Sequence, residues 1–250
     1  LSGVDGWDGN GDGFHETVYG GDLAGNLWRY KLGDSGNSTL AASRLFAAKD
    51  AAGNPQPITA APFLLREPQS RKLWVYFGTG RYLGDGDVAN RSEQTWYGLI
   101  DDGDVVPGRG ALVRRRILAE KTPAGSEMTQ RVTSAAIAGD LAGRDGWYLD
   151  LVSVNGPEGE RMVAPNSLVG GVLYGTTRIP DARDVCSPGG RGFLMGVEPF
   201  TGGRASFATY DANGDGRIDD KDKAEVGGGR VPASGVGYGS SPNQPRFLDG

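Results

Sequence analysis

The sequence predicts an all-β fold: a modified β-propeller, or an arc of one, built from four-stranded antiparallel blades with calcium-binding loops. Three observations predict the fold. Short strand-like segments recur along the chain, helical periodicity is nearly absent, and turn residues are abundant, with 43 Gly and 14 Pro in 250 residues. Because these turn residues are interleaved with aromatic and aliphatic ones, they indicate tight turns between strands rather than disorder. A jelly roll or sandwich is the structural alternative.

The predicted strands are rich in aromatic and β-branched residues and are bounded by Gly, Pro, Asn or Asp. In chain order they cover residues 17–23, 26–32, 72–80, 95–101, 111–118, 146–152, 171–177, 192–198 and 205–211. Several alternate in polarity, as half-buried antiparallel strands do. Two short stretches, 38–51 and 217–226, are compatible with helix.

A weak internal repeat favours propeller blades over other all-β folds. The segments "VYGGDLAGNLWRYKLGDSG" (18–36) and "GFLMGVEPFTGG" (192–203) both predict a strand, a short turn, a second strand and a glycine-containing exit. At roughly 40–45 residues per blade, the chain has room for about five or six blades. We expect residues 1–250 to form a single propeller domain or part of one, excerpted from a longer protein.

Composition argues against several classes of function. Net charge is −5, and the only basic run is Arg114–Arg116, interpreted as solvated strand residues, so nucleic acid is not an expected partner. No apolar run approaches the ~20 residues of a membrane span. With His15 the only histidine and Cys186 the only cysteine, a Ser-His-Asp or Cys-His catalytic apparatus is hard to assemble. We predict a non-enzyme, with Cys186 either a free thiol or bonded to a partner outside this chain.

The segment "DGNGDGFHE" (8–16) is the first candidate metal site. Oxygen side chains stand at its first, third, fifth and ninth positions: Asp8, Asn10, Asp12 and Glu16. Calcium takes six to eight oxygen ligands, and its loops draw them from these positions and from the carbonyl at position 7, here that of Phe14. Glycine at position 6 permits the sharp turn around the ion. Position 12 is Tyr19, so the pattern predicts a nine-residue variant closed by Glu16.

The segment "DANGDGRIDDKD" (211–222) carries the pattern again and extends it. The predicted ligands are the side chains of Asp211, Asn213, Asp215, Asp219 and Asp222, with the carbonyl of Arg217 at position 7. Asp222 replaces the usual Glu at position 12. Either loop alone could be a turn held by its own Asx side chains. Two copies favour calcium, because crowded carboxylates repel one another unless a cation offsets them.

The chain resembles the PilY family, the type IV pilus biogenesis factors and tip adhesins of Gram-negative bacteria. The resemblance begins with the first acidic loop followed by "VYGGDLAGNLWRYKL". It continues through "YFGTGRYLGDGD", "TWYGLID", "GWYLDL", "GERMVAPNSLVGGVLYGTTRIPD", "CSPGGRGFLMGVEPFTGG" and "FATYDANGDGRIDD". These segments occur in the order expected for the C-terminal domain of that family.

The resemblance implies a modified β-propeller that binds calcium in a D-x-N-x-D-x-x-x-D loop. The adjacent "GDLAGNLWR" (21–29) favours the first loop as the regulatory site, although Glu16 departs from the usual Asp. It further implies location at the pilus tip or cell surface, partnership with minor pilins, adhesion to host or abiotic surfaces, twitching motility and calcium-dependent opposition to pilus retraction. The integrin-binding Arg-Gly-Asp of some relatives is absent.

Two other functions remain as alternatives. A calcium-dependent, lectin-like adhesin would use exposed aromatic residues beside the ion, and Trp7 adjoins the first loop. A quinoprotein-type dehydrogenase propeller also fits the strand pattern, but the chain offers no paired cysteines and no convincing catalytic base.

Overall fold

The computed structural model is made of strands and turns, with a few single-turn 3₁₀ helices in its described part. It describes residues 2–32, 41–123, 125–181, 190–240 and 242, so Cys186 lies outside the described residues. The 3₁₀ turns are Asp85–Asp87, Arg109–Ala111 and Asp220–Asp222. Over this described part, no helix has the length and apolar character needed to cross a membrane.

The first sheet is a four-stranded antiparallel blade, as the sequence predicts. Its strands, in spatial as in chain order, are β1 (Val4–Trp7), β2 (Thr17–Gly21), β3 (Asn26–Lys31) and β4 (Ala41–Ala47). The helix-compatible reading of 38–51 is wrong over the part described here. Residues 41–47 pair with β3 instead, because this buries Leu45 and Phe46 in the core beside the blade.

The second sheet has five strands. They are β5 (Phe63–Arg66), β6 (Leu73–Gly78), β7 (Thr95–Asp101), β8 (Val113–Arg115) and β11 (Gly146–Asp150), and their spatial order is β5-β6-β7-β11-β8. Four of them form an antiparallel blade, and β8 joins its edge in parallel with β11. The blade is therefore larger than the four strands predicted, because the chain returns to add one short edge strand.

The third sheet is also larger than four strands. Its main path runs β12-β13-β15-β18-β10-β9, and β14 also pairs with β15. The strands are β9 (Ile117–Lys121), β10 (Thr129–Thr133), β12 (Ser167–Val169), β13 (Val172–Thr176), β14 (Ile179–Pro180), β15 (Gly190–Val197) and β18 (Gly235–Tyr238). A separate hairpin comprises β16 (Ala224–Val226) and β17 (Gly229–Val231). The third sheet thus combines strands from the middle and the end of the chain.

Two of the predicted strands differ from the structure. Residues 111–118 form β8 and β9, which belong to different sheets, and the chain crosses between the sheets at Arg116. Residues 205–211 form no strand. Instead of alternating along a strand, the aromatic residues of this segment differ in burial. Tyr210 is buried and packs edge-on against Tyr174, whereas Phe207 is exposed.

Most of the core lies between successive sheets, in two layers. A third, smaller cluster lies on the third sheet and comprises Val172, Tyr174, Tyr210, Ala212, Ala233 and Val236. Strand β6 shows why, since Val75 and Phe77 face the layer shared with the first sheet, and Trp74 and Tyr76 face the layer shared with the third. Successive residues of a strand point to opposite faces, so a strand buried on both sides is apolar at every position. The central sheet is therefore covered on both faces, as a blade between two neighbours must be.

Candidate metal centre

The first acidic loop connects the edge strand β1 to β2 at one end of the first blade. Trp7 pairs with Thr17, and the N–H of Glu16 donates to the carbonyl of Trp7 at 3.1 Å. The strands therefore bring Asp8 and Glu16, the two ends of the predicted ligand set, side by side. Residues 9–15 project into solvent beyond this pair.

Asp8 organises the interior of this loop. Its Oδ1 accepts from the N–H of Gly11 at 2.6 Å, and its Oδ2 accepts from the N–H of Gly13 at 2.9 Å. Gly11 and Gly13 have φ of 82° and 90°, a region that favours glycine. The N–H groups of Gly13 and Gly11 stabilise the ionised carboxylate and hold the pKa of Asp8 below its usual value. Asp8 is thus held as an anion.

Three carboxylates converge in the loop. Asp8, Asp12 and Glu16 each offer one oxygen, and these oxygens lie within 4.8 Å of one another. Asn10 joins them, since its Oδ1 accepts from the N–H of Asp12 at 2.8 Å and its amide nitrogen lies 3.1 Å from Asp12 Oδ2. Glu16 is fixed by the N–H of Gly9, which donates to its Oε2 at 2.7 Å. An all-oxygen set of this kind suits a hard cation such as calcium.

The second acidic loop repeats this local conformation. Asp211 accepts from the N–H groups of Gly214 and Gly216 at 2.7 and 2.8 Å, as the first residue of the first loop does at the same spacings. Asn213 and Asp215 each accept from the N–H two residues later, at 2.8 and 3.0 Å. The φ values of Gly214 and Gly216 are 77° and 81°. The D-x-N-x-D-G sequence therefore specifies one backbone shape in two places.

The second loop departs from the first after the shared segment. The match extends to Arg217, the predicted position-7 residue, whose N–H donates to the fifth-position Asp as that of Phe14 does in the first loop. Asp219 accepts from the N–H of Lys221 at 2.7 Å, and Asp222 accepts from backbone N–H groups at 212–213 and at 219. Within the described ranges, the three-carboxylate convergence found at the first loop has no counterpart here.

The outcome for the predicted ligands is therefore uneven. The first loop brings the side chains of Asp8, Asn10, Asp12 and Glu16 together, with the exposed Phe14 beside them. In the second loop, Asp211, Asn213 and Asp215 are together, and Asp219 and Asp222 cap backbone groups. Metal binding by either loop stays a prediction.

Arg66 is a neighbour of the first loop that the sequence did not single out. Its guanidinium carbon lies 5.0 Å from the centre of the Trp7 ring, and its Nη2 is 3.5 Å from the carbonyl oxygen of Gly9. Trp7 is half-buried and packs against the core. This weakens the lectin-like alternative, because one face of the ring is already covered by a cation.

The segment "GDLAGNLWR" has a structural role next to the site. Asp22 lies in the turn between β2 and β3, where it accepts from Trp28 Nε1 at 2.8 Å and from the N–H groups of Ala24 and Asn26 at 2.9 Å. Burial alone would raise the pKa of Asp22, but the bonds from Trp28 and Asn26 outweigh it and lower the pKa. The motif therefore fixes the turn and ties it to an aromatic side chain.

These features define a β-propeller domain with an acidic hairpin loop, and comparisons with known proteins place it in a family. The family described as "PilY1 beta-propeller domain" matches residues 1–117. A type IV pilus biogenesis factor PilY1 homolog of Xylella fastidiosa is 40% identical over 251 residues, which are 99% of this chain and 19% of that protein. The type IV pilus biogenesis factor PilY1 of Pseudomonas aeruginosa PAO1 is 32% identical, covering 92% of this chain and 23% of that protein.

A solved structure agrees with these relatives. The crystal structure of the P. aeruginosa PilY1 C-terminal domain superposes with a TM-score of 0.78 at 29% identity, over 94% of this chain and 54% of that one. The chain belongs to the PilY family and corresponds to part of its C-terminal domain. It spans about a fifth of the length of these curated relatives.

Proposed function

We propose that this chain is the calcium-binding β-propeller domain of a type IV pilus-associated protein that acts in pilus biogenesis by opposing retraction. The pilus role is supported by its relatives, which are type IV pilus biogenesis factors. We further propose that the parent protein works at the pilus tip or cell surface of a Gram-negative bacterium. There it would contact minor pilins and take part in twitching motility and surface adhesion, without being an enzyme.

The observation that carries calcium binding is the convergence of Asp8, Asp12 and Glu16 within 4.8 Å. Three carboxylates at this separation repel one another in the absence of a cation. Calcium suits the loop better than magnesium, which retains its waters and seldom uses an all-protein cage. Glu16, one methylene longer than the usual Asp, reaches back to the N–H of Gly9, so its carboxylate already stands at the loop entrance.

The proposed mechanism is linkage between ion binding and loop order. Calcium binds the closed loop better than open conformations, so it increases the closed population and stabilises the fold by mass action. Because β1 is an edge strand of the first blade, a change in this hairpin alters the shape of an exposed end of the propeller. A pilus component that contacts that end would sense calcium through the hairpin.

The test is calorimetric titration of the metal-stripped chain with calcium. Asp12→Ala removes one of the converging carboxylates and Asp215→Ala removes its counterpart in the second loop. Asp104→Ala is the matched control, since Asp104 is an exposed acidic turn residue outside both loops. We expect a binding event that Asp12→Ala abolishes and Asp104→Ala preserves. A second event lost in Asp215→Ala would assign the second loop.

The cellular test follows from the same variants. In the full-length protein, Asp12→Ala should abolish the proposed opposition to pilus retraction. Asp104→Ala should leave that opposition intact. If the unaltered chain shows no binding heat and no calcium-dependent rise in thermal stability, the loops are turns and the calcium part of the proposal fails. If calcium binds but Asp12→Ala leaves retraction unchanged, calcium is a structural ion and the switch fails.

A further inference from the structure

A polar cavity of about 500 Å³ lies beside the second acidic loop, between the connection from β9 to β10 and the β16–β17 hairpin. Among its described lining residues, four have basic side chains, Lys121, Lys221, Lys223 and Arg230, and one has a carboxylate, Glu225. The chain as a whole carries a net charge of −5. Four cationic side chains therefore share a concave site, with the carboxylates of the second acidic loop beside them.

Two of these cations, Lys121 and Arg230, have no carboxylate partner within the described ranges. The other two do. Lys223 Nζ is 2.7 Å from Asp220, and Lys221 Nζ is 4.0 Å from Asp215. Arg230 instead donates from Nη2 to the backbone carbonyls of Lys221 and Lys223, at 3.0 and 3.4 Å. These bonds fix the guanidinium at the cavity rim without neutralising it, and Lys121 also has no ion pair among the residues that the structure describes.

Gln130 supplies an independent observation. It lies on β10, is only 7% exposed and lines the same cavity. Over the part of the chain that the structure describes, its side-chain amide has no hydrogen-bond partner. The amide atoms are not among the buried polar atoms that lack a partner, so the amide is open to the cavity rather than sealed in the core. This amide therefore stands ready to donate to a molecule held between the basic side chains.

We propose that this cavity binds a small polyanion that carries carboxylate or phosphate groups. Lys121 and Arg230 would supply the charge contacts, and Gln130 would donate a hydrogen bond from the cavity wall. The volume falls in the range of small-molecule sites, and it exceeds that of a single inorganic ion. None of the described lining residues is aromatic, so the site recognises charge rather than a ring. The proposal does not rest on calcium binding.

The test uses pyrophosphate and citrate as probes in calorimetric titrations of the metal-stripped chain at low ionic strength. Lys121→Gln, Arg230→Gln and Gln130→Met each remove one proposed contact and should weaken binding by about threefold to fivefold. Glu225→Gln removes the carboxylate found among the described lining residues and should tighten binding by a similar factor. Lys72→Gln is the matched control, because Lys72 is an exposed lysine next to β6, on another sheet.

Saturable 1:1 binding of either probe with this pattern of variants supports the proposal. Binding of pyrophosphate alone assigns phosphate as the ligand group, and binding of citrate alone assigns carboxylate. Thermal unfolding of each variant shows whether it folds. If Arg230→Gln destabilises the β16–β17 hairpin, the comparison of Lys121→Gln with Glu225→Gln is enough to test the proposal. The proposal is overturned if neither probe saturates, or if Lys72→Gln weakens binding as much as Lys121→Gln, since that indicates only general attraction.

Discussion

Asp222 stabilises the second acidic loop through the backbone, whatever its role toward a metal. It is 1% exposed. Its Oδ1 accepts from the N–H groups of Ala212 and Asn213 at 2.8 and 3.1 Å, and its Oδ2 accepts from that of Asp219 at 2.8 Å. One carboxylate thus joins the beginning of the loop to its end, so the loop has a closed shape before any ion arrives.

We predict that Asp222→Ala destabilises the metal-free chain by about 1–3 kcal/mol, because three backbone N–H groups, that of the buried Ala212 among them, lose their acceptor. The matched control is Asp220→Ala, two residues earlier, whose side chain is 90% exposed and pairs only with Lys223. Its effect should be much smaller than that of Asp222→Ala, because solvent screens an exposed ion pair. Urea unfolding with calcium chelated measures both free energies of unfolding. Equal stability of the two variants would show that Asp222 has no structural role.

At the scale of single residues, the sequence could predict contacts within one loop but not contacts across the chain. The spacing of Asp8, Asp12 and Glu16 implies proximity, because all three belong to one hairpin. The sequence predicts a solvated Arg115, yet its side chain is 3% exposed and pairs with Asp140 at 2.6 Å. Its partners lie up to 86 residues away, so local pattern alone could not identify them.

At the scale of elements, the contact between the second and third sheets depends on glycines that flank a tryptophan. The Trp147 side chain is fully buried, and its Nε1 donates to the carbonyl of Pro199 at 2.8 Å. A Cβ at Gly98 on β7 would lie 2.5 Å from the indole, and a Cβ at Gly202 would lie 2.3 Å from it. The ring therefore occupies space that only glycine leaves open.

Gly98→Ala should destabilise the fold by about 1–3 kcal/mol, because the added methyl group overpacks the face of β7 against Trp147. Gly86→Ala is a suitable comparison, since nothing lies within 4 Å of the methyl group it would add. Thermal unfolding followed by tryptophan fluorescence reports both variants. A melting temperature for Gly98→Ala as high as that for Gly86→Ala would contradict the packing described here.

Strands were predicted correctly where burial on both faces makes the sequence apolar. The prediction failed where the pairing depends on strands that are distant in the sequence. β6 and β7 are apolar at nearly every position, so their sequences "LWVYFG" and "TWYGLID" indicate strands directly. Residues 111–118 also have strand character, but the identity of their partners splits them between two sheets. Residues 205–211 have the aromatic content of a strand, but they form a loop that is held by the buried side chain of Tyr210.

At the scale of the whole molecule, a buried charged cluster connects three parts of the chain. The Arg131 side chain is 0% exposed and donates to both oxygens of Glu160 at 2.6 and 2.7 Å and to Glu120 at 2.7 Å. Its guanidinium carbon also lies 3.4 Å from the centre of the Phe193 ring. Glu160 precedes Met162, whose N–H donates to the carbonyl of Thr79 beyond β6. The cluster thus holds the third sheet to a segment bound to the second.

The last prediction concerns this cluster. Arg131→Met should destabilise the protein by about 3–5 kcal/mol, because it leaves the carboxylate of Glu160 buried without its cation. Arg191→Met is the matched control: Arg191 pairs with Glu158 at the surface, where its side chain is 47% exposed, and the loss should stay below about 1 kcal/mol.

The double variant Arg131→Met/Glu160→Met removes the Glu160 charge together with the arginine. It should regain part of the stability that Arg131→Met loses, because Glu160 no longer stays buried without its cation, whereas Glu120, whose side chain is 7% exposed, still loses its partner. Urea unfolding of Arg131→Met, Arg191→Met and the double variant gives the three free energies of unfolding. If the double variant is as unstable as Arg131→Met alone, the buried charge of Glu160 does not account for the loss, which then comes from the packing of the arginine against Phe193 or from its ion pair with Glu120.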